Sequence, residues 1–417
     1  MGVFRQYLCL EALMGIYLGS WNATVPLIII ERGTLLELAA YEMALAVVAV
    51  VAMVGLAGRV ETLRRSTVLK VACAVILVTA GLRYLAVSLS YSIEGLTLID
   101  VVAVAAFGVI QSLFAVYPAE TVGKAQIEQA FRTRRIVVTL SRVLGPLLAG
   151  GVIALASPPV ALLVAAILSA VALAVAAALP GSAQRQPGAT LTSKGRLRHL
   201  LLGIKLKWVL PPERFLTFSG FLLSLAVTAT VPMLVPKQIQ AHALAEGSVG
   251  LFNALFAAGA VAGLFFVSPR VARGQHPRRH YLALWALLTV SLCACALSVE
   301  IWQLAACLFV AGAASAVLSL VGLDKRTVSV PPGVRIRLTS ATLVATQLAN
   351  SAAYLLMGVV ASRWDAVGLV SVYVTVFVVM LLYALRSRPI WGFLRRTAIA
   401  ERYYPEHYPH LASLMRA

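Results

Sequence analysis

Twelve apolar runs, six before a polar break and six after it, dominate this sequence. A helix rises about 1.5 Å per residue, so about 20 apolar residues cross a hydrocarbon core of about 30 Å. Runs of that kind lie at 7–30, 37–57, 67–89, 95–117, 135–156 and 160–180. After the break they recur at 215–236, 250–267, 281–298, 301–322, 339–361 and 366–385. Continuous apolar runs favour helices over the alternating strands of a barrel, because a lone segment in lipid must bond its own backbone. With 60% hydrophobic and only 12% charged residues, the chain lacks the polar cover of a soluble domain of this size. The expected fold class is an all-α integral membrane protein of twelve transmembrane helices in two six-helix bundles. Its expected divisions are an N-terminal bundle at 1–180, a linker with an amphipathic helix at 181–214, a C-terminal bundle at 215–386 and a basic tail at 387–417.

The formal charge of +19 invites a nucleic-acid reading, but its distribution argues against one. Bases crowd alternate gaps: Arg59, Arg64, Arg65 and Lys70; then Lys124, Arg132, Arg134 and Arg135; then Arg270 to Arg279; then Lys325 to Arg337. The linker and tail add more, whereas the other side has little beyond Arg32, Lys237 and Arg363. This is the positive-inside pattern, and it predicts a multi-pass protein of the cell membrane with both termini cytoplasmic. The basic excess then faces anionic lipid headgroups. No basic domain stands apart from the helices, so no nucleic-acid partner is expected.

Residues 181–193 are small and polar, as in a flexible connection. From Lys194 to Leu210, bases alternate with Leu200, Leu201, Leu202, Ile204 and Trp208, the pattern of a basic helix lying on the inner leaflet. Pro211-Pro212 ends it. The tail, with Trp391, Phe393, Arg395 and Arg396, suits the membrane surface too, and its end at His407 and His410 reads as solvated in preference to metal-binding.

All six histidines lie outside the apolar runs, which removes an intramembrane histidine relay. The five cysteines, Cys9, Cys73, Cys293, Cys295 and Cys307, sit within runs and read as packing groups. No phosphate loop, GxSxG or HExxH motif is present, so an enzyme is not expected.

Ionisable groups inside the runs carry the functional signal, since each costs at least about 2.5 kcal/mol to insert. In the first run Glu11, Gly15 and Asn22 share a face at about 100° per residue. Asp100, Phe107 and Gln111 do so in the fourth, and the two stripes are suited to lining an aqueous cavity. Glu42, Arg83 and Asp100 have similar depth, which predicts a buried ion cluster. Asp100 is open to two readings, structural partner of Arg83 or proton carrier, whereas Glu42 reads as structural or interfacial. Arg142 is within reach as a partner for Glu11; without it, Glu11 is the better candidate for a titrating carboxylate.

The second set of runs carries amides and hydroxyls instead of Asp or Glu: Thr217, Ser224, Thr228, Asn253, Ser315, Ser319, Gln347, Asn350 and Ser351. Such groups orient a substrate or bond between helices. Gly15-x3-Gly19 and Gly259-x3-Gly263 fit the small-xxx-small pattern of close helix contact, here within one chain.

Gly58-Arg59-Val60-Glu61-Thr62-Leu63-Arg64-Arg65 resembles the Gly-x3-Asp-Arg-x-Gly-Arg-Arg loop of the major facilitator superfamily, with a shortened spacing and one Gly missing. Arg142 to Gly151, with Gly145-Pro146, is similar to the Gly-Pro-x2-Gly-Gly element of that family's antiporters, Ala149 replacing one Gly. The family's usual Arg in the fourth helix is absent, and Gln111 lies in that region. The stretch from Thr327 to Gly358 looks like the macrolide- and siderophore-exporter-type members.

The resemblance implies a major facilitator fold with two bundles rocking around a midplane cavity. It also implies gating by Glu61, Arg64, Arg65, Gly145 and Pro146. The expected function is secondary active export of a small organic molecule, a drug, antibiotic or siderophore, driven by protons. Glu11 and Asp100 are the proton-coupling candidates; Asn22, Gln111, Asn253, Gln347 and Asn350 are the cavity candidates; Glu42, Arg83 and Arg142 are the structural ion-pair candidates. No cofactor or metal is expected, and a monomer suffices. An importer or facilitator of a metabolite or iron chelate, and a non-transporting scaffold, remain as alternatives.

Overall fold

The computed structural model describes residues 2–60, 65–114, 121, 127–179, 193–228, 230–242, 248–273, 276–322, 332–395 and 403–409. Among them all regular structure is helical, and twelve helical segments are long and apolar enough to cross a membrane. The expected fold class holds.

The first six spans lie in α1 (Gly2–Arg32), α2 (Leu35–Val60), α3 (Arg65–Ser88), α4 (Ile93–Phe114), α5 (Ile127–Leu155) and α6 (Pro158–Ala178). The linker helix is α7 (Ser193–Val209). The seventh span is α8 (Pro211–Val227), a π-helical turn at Thr230–Leu234 and α9 (Val235–Ala241). The eighth is α10 (Ser248–Ala262), a second π-turn at Gly263–Val267 and α11 (Ser268–Arg273). Then come α12 (Pro277–Leu297), α13 (Ile301–Leu320), α14 (Pro332–Arg386), α15 (Arg388–Arg395) and α16 (Tyr403–His407).

Prolines set several of these boundaries. Pro158-Pro159, Pro211-Pro212 and Pro277 occupy the first positions of their helices, where a missing N–H costs nothing. Pro232 falls inside the seventh span, and the wider turn at Thr230–Leu234 accommodates the donor it lacks. One expected break is absent: α14 runs through 361–366 and carries two spans, Val344–Trp364 and Ala366–Arg386. No proline interrupts Arg363-Trp364-Asp365, so nothing local ends the helix there.

The chain forms two compact units, Met1–Leu191 with Val231–Ala257, and Thr192–Thr230 with Ala258–Ala417. In the first, α1 packs along α5 and α6, α3 along α4 and α6, and α2 along α4. Small residues set the α1–α5 spacing. A methyl on Gly15 would lie 2.7 Å from Ser141 Cβ, and one on Gly145 would lie 2.6 Å from the Ile16 carbonyl and 2.8 Å from Gly19 Cα. Ser20 Oγ fixes the register by donating to the Gly145 carbonyl at 2.9 Å. In the second unit, α14 packs on α7, α8 and α12, and α12 on α13. Gly259 and Gly263 face the backbone at Phe309 and Ala313 of α13, so both small-residue motifs serve contacts within the chain. Gly322 ends α13 at φ +77°, a left-handed turn that glycine adopts without strain.

Candidate functional site

In the first unit, Arg83 on α3 and Asp100 on α4 form the expected buried pair, 1% and 0% exposed. Arg83 Nε donates to Asp100 Oδ1 at 2.6 Å, and Nη2 makes a 2.5 Å charge contact with the same oxygen without hydrogen-bond alignment. Aromatic groups complete the cluster. Tyr41 Oη donates to Asp100 Oδ2 at 2.5 Å, and Trp21 Nε1 donates to Tyr41 Oη at 3.2 Å. Arg83 Nη1 donates to Tyr17 Oη at 3.0 Å, and the guanidinium lies 4.1 Å from the centre of the Trp21 ring. Burying two charges is costly unless their hydrogen-bonding capacity is met, and here the hydroxyls and the indole meet much of it. Sequence depth located Arg83 and Asp100 but gave no sign of the three aromatics from α1 and α2. The carboxylate bonded to Arg83 is Asp100; Glu42 is half-buried beside Tyr41 in sequence.

Glu11 is also paired, but with Arg134, 25% exposed against 8% for Glu11. Arg134 Nε reaches both carboxylate oxygens at 3.0 and 2.9 Å, and Nη2 reaches Oε1 at 2.7 Å. The expected partner was Arg142, whose side chain lies outside the described residues. Arg134 was counted among the loop bases; α5 starts at Ile127, so Arg134 already stands on the helix facing Glu11. Glu11 and Gly15 do share a face, as their spacing predicts, and that face meets α5 at Arg134 and Ser141. Asn22 and Gln111 are exposed side chains on α1 and α4. Asn253 is 6% exposed, and its Oδ1 has no hydrogen-bond partner among the described residues. Gly145 and Pro146 are buried in the α1–α5 seam, and Gly250 of α10 approaches the same helix, a methyl there lying 2.5 Å from the Pro146 carbonyl. Glu61 and Arg64, and the side chain of Arg65, lie outside the described residues.

In the second unit, Thr228 Oγ1 donates to Asn350 Oδ1 at 2.9 Å, and Asn350 Nδ2 donates to Gln347 Oε1 at 2.8 Å. Both amides are half-buried, so each keeps capacity for a further partner. These three groups join α14 to the end of α8.

Another cluster lies where the seventh span begins. Lys207 of α7 and Glu213 of α8 are 4% and 0% exposed and meet at 3.1 Å. Tyr404 of α16 donates to the other Glu213 oxygen at 3.1 Å, and Lys207 also donates to Thr217 Oγ1 at 3.4 Å. This corrects two expectations. Lys207 is not a lipid-facing base but the buried partner of a carboxylate that the span 215–236 left out. Nor is the described tail solvated throughout: Tyr403 and Tyr404 are buried, and Phe393 stacks on Tyr404. His407 stacks on Tyr403, and no metal-holding group of three or more His, Cys, Asp or Glu occurs among the described residues.

Residues 216–406 match the family model of the Major Facilitator Superfamily. Solved structures share the fold over nearly the whole chain. The nucleoside transporter NupG is 16% identical with a TM-score of 0.67, covering 94% of this chain and 99% of that one. A bacterial homologue of the iron transporter ferroportin gives 16% and 0.70 over 94% and 99%. The xylose transporter XylE from E. coli gives 13% and 0.69 over 93% and 96%. No curated protein matches by sequence. The twelve apolar helices make this a multi-pass membrane protein; its fold is the one those transporters share, and residues 216–406 carry the likeness to the Major Facilitator Superfamily.

Proposed function

We propose that the chain exports a small organic molecule, an amphipathic drug, antibiotic or siderophore, in exchange for protons, with Glu11 as the proton-carrying carboxylate. The observation that carries this reading is the asymmetry of its ion pair: Glu11 is 8% exposed, but its partner Arg134 is 25% exposed. A proton reaching Glu11 removes the charge that holds Arg134, loosening one end of the α1–α5 seam while the glycine contacts keep the helices together. Asp100 is held from both sides by Arg83 and Tyr41, which suits a structural anchor better than a group that titrates in each cycle.

Amides are the substrate-contact candidates within each unit taken by itself: Asn22, Gln111 and Asn253 in the first, Gln347 and Asn350 in the second. Groups of this kind orient neutral polar atoms without a strong electrostatic drive. The export direction rests on the likeness of the Gly145-Pro146 element to that of antiporters. Import of a polar metabolite is the rival reading, because NupG and XylE are named for nucleoside and xylose transport.

The test uses inside-out membrane vesicles with an imposed proton gradient, a pH-sensitive dye and a panel of drugs and siderophores. Compound-triggered proton release that is lost in Glu11→Gln supports the reading. Release that survives in Glu11→Gln removes Glu11 from the mechanism, and uptake of a compound with its gradient, unaffected by protons, overturns antiport.

A further inference from the structure

The linker helix α7 has two unlike faces. Leu206, Lys207 and Leu210 are buried against the second unit, which α7 meets through α8 and α14. Leu201, Ile204, Lys205 and Trp208 are exposed, Trp208 by 67%. Offsets of three, four and seven residues bring these four within an arc of about 100° at about 100° per residue. Among the described side chains of α7 the exposed face is therefore the apolar and aromatic one, with Lys205 set among its hydrophobic groups.

We propose that this face is a binding surface for anionic phospholipid of the leaflet on the linker side. Its position supplies the apolar half of the argument. Only Leu210 separates α7 from α8, and the seventh span begins at Pro211, so Trp208 stands within one turn of the membrane boundary. An indole there has an apolar ring for the acyl region and an N–H for the headgroup layer.

Charge supplies the other half. Exposed Arg214 follows on the first turn of α8, and exposed Arg388 and Arg395 flank the same boundary, because Trp391 of α15 packs edge-on at 5.5 Å from Phe215 of α8. Of the nearby carboxylates, Glu213 is buried and bonded to Lys207 and Tyr404, so it does not offset these bases at the surface, and Glu406 of α16 is one exposed acid against Lys205, Arg214, Arg388 and Arg395. The same ion pair holds Lys207 inward, and Leu201 and Trp208, about 120° and 100° round the helix from it, are turned outward. A phosphodiester headgroup over Lys205 and Arg214, with its chains beside Ile204 and Trp208, satisfies both kinds of group.

The test takes the full-length protein in phosphatidylcholine nanodiscs and reads the fluorescence of Trp208 as the difference between wild type and Trp208→Phe. One set of discs contains about 10 mol% phosphatidylcholine brominated near the carbonyl end of its chains, a second the same fraction of equally brominated phosphatidylglycerol, the figure being on the order of a few lipids per disc face. The expected result is quenching of the Trp208 component by both, at least about two-fold stronger with the anionic lipid. Lys205→Gln with Arg214→Gln is expected to bring the two to equality while quenching by phosphatidylcholine persists, which also shows that the variant is folded. Equal quenching in the wild type overturns anionic selection. No quenching by either lipid overturns the lipid surface altogether and points to another segment of the chain or a second protein on this face. Neither result depends on transport, so the proposal stands or falls apart from the export reading.

Discussion

Arg134 on α5 closes on Glu11 of α1 with three hydrogen bonds between 2.7 and 3.0 Å, one turn and more from the glycine seam that joins the same two helices. Charge and close packing thus act at different points of one helix pair. Removing a partner of a buried pair costs about 3–5 kcal/mol, and exposure of Arg134 lowers that figure here. Arg134→Gln is expected to lower the thermal midpoint in detergent more than Glu11→Gln with Arg134→Gln together, since the double variant leaves no lone charge. A double variant less stable than the single one would contradict this account.

The Arg83–Asp100 pair is more deeply enclosed and has no exposed member. Asp100→Asn leaves the Arg83 charge without its counter-ion and is expected to destabilise the protein by about 3–5 kcal/mol. Arg83→Met with Asp100→Leu should recover most of that loss, read as monodisperse yield and thermal midpoint. Failure of Asp100→Asn to fold while the double apolar variant folds identifies the pair as an anchor. Normal stability with lost proton coupling in Asp100→Asn would return Asp100 to the proton pathway.

Glycines in one helix should differ sharply. Gly145→Ala forces a methyl against the Ile16 carbonyl and Gly19, and overpacking of this sort costs about 1–3 kcal/mol. Gly151→Ala, six residues on, meets nothing within 4 Å and is expected to be neutral or slightly stabilising. Thermal midpoints of the two variants, measured side by side, check the contrast.

Hydrogen bonds between helices in a membrane average only about 0.6 kcal/mol, so Asn350→Ala should cost little stability. A transport loss of about ten-fold or more, with an unchanged midpoint, would then report lost substrate contact, since ten-fold corresponds to about 1.4 kcal/mol. A loss of stability with no change in transport would make Thr228–Asn350–Gln347 a helix tie and nothing more.

Tyr404→Phe deletes one bond to a buried carboxylate and is expected to destabilise by about 1.5–3 kcal/mol, the range for hydrogen bonds to charged groups. Limited proteolysis of the tail should speed up with it. An unchanged cleavage rate would show that the aromatic stacking of Phe393, Tyr403 and Tyr404 holds the tail by itself.

The sequence by itself determined the class of fold. Hydrophobic length alone separates crossing from non-crossing segments, and the twelve runs agree with the twelve helical spans because a lone segment in lipid has no alternative to bonding its own backbone. It also placed Arg83, Asp100 and Glu42 at one depth, since buried charges need partners, but the structure chose Asp100 as the carboxylate bonded to Arg83. Tertiary structure decided what periodicity cannot supply, namely which helix each face meets. Glu11 and Gly15 do lie together, yet only the α1–α5 packing brings Arg134 to the one and Ser141 to the other. Lys207 read as one more surface base until α7 turned it inward against Glu213, with Tyr404 arriving from 191 residues away along the chain. Rotation about a helix axis is set by the packing of neighbours, and no local pattern of residues carries that information.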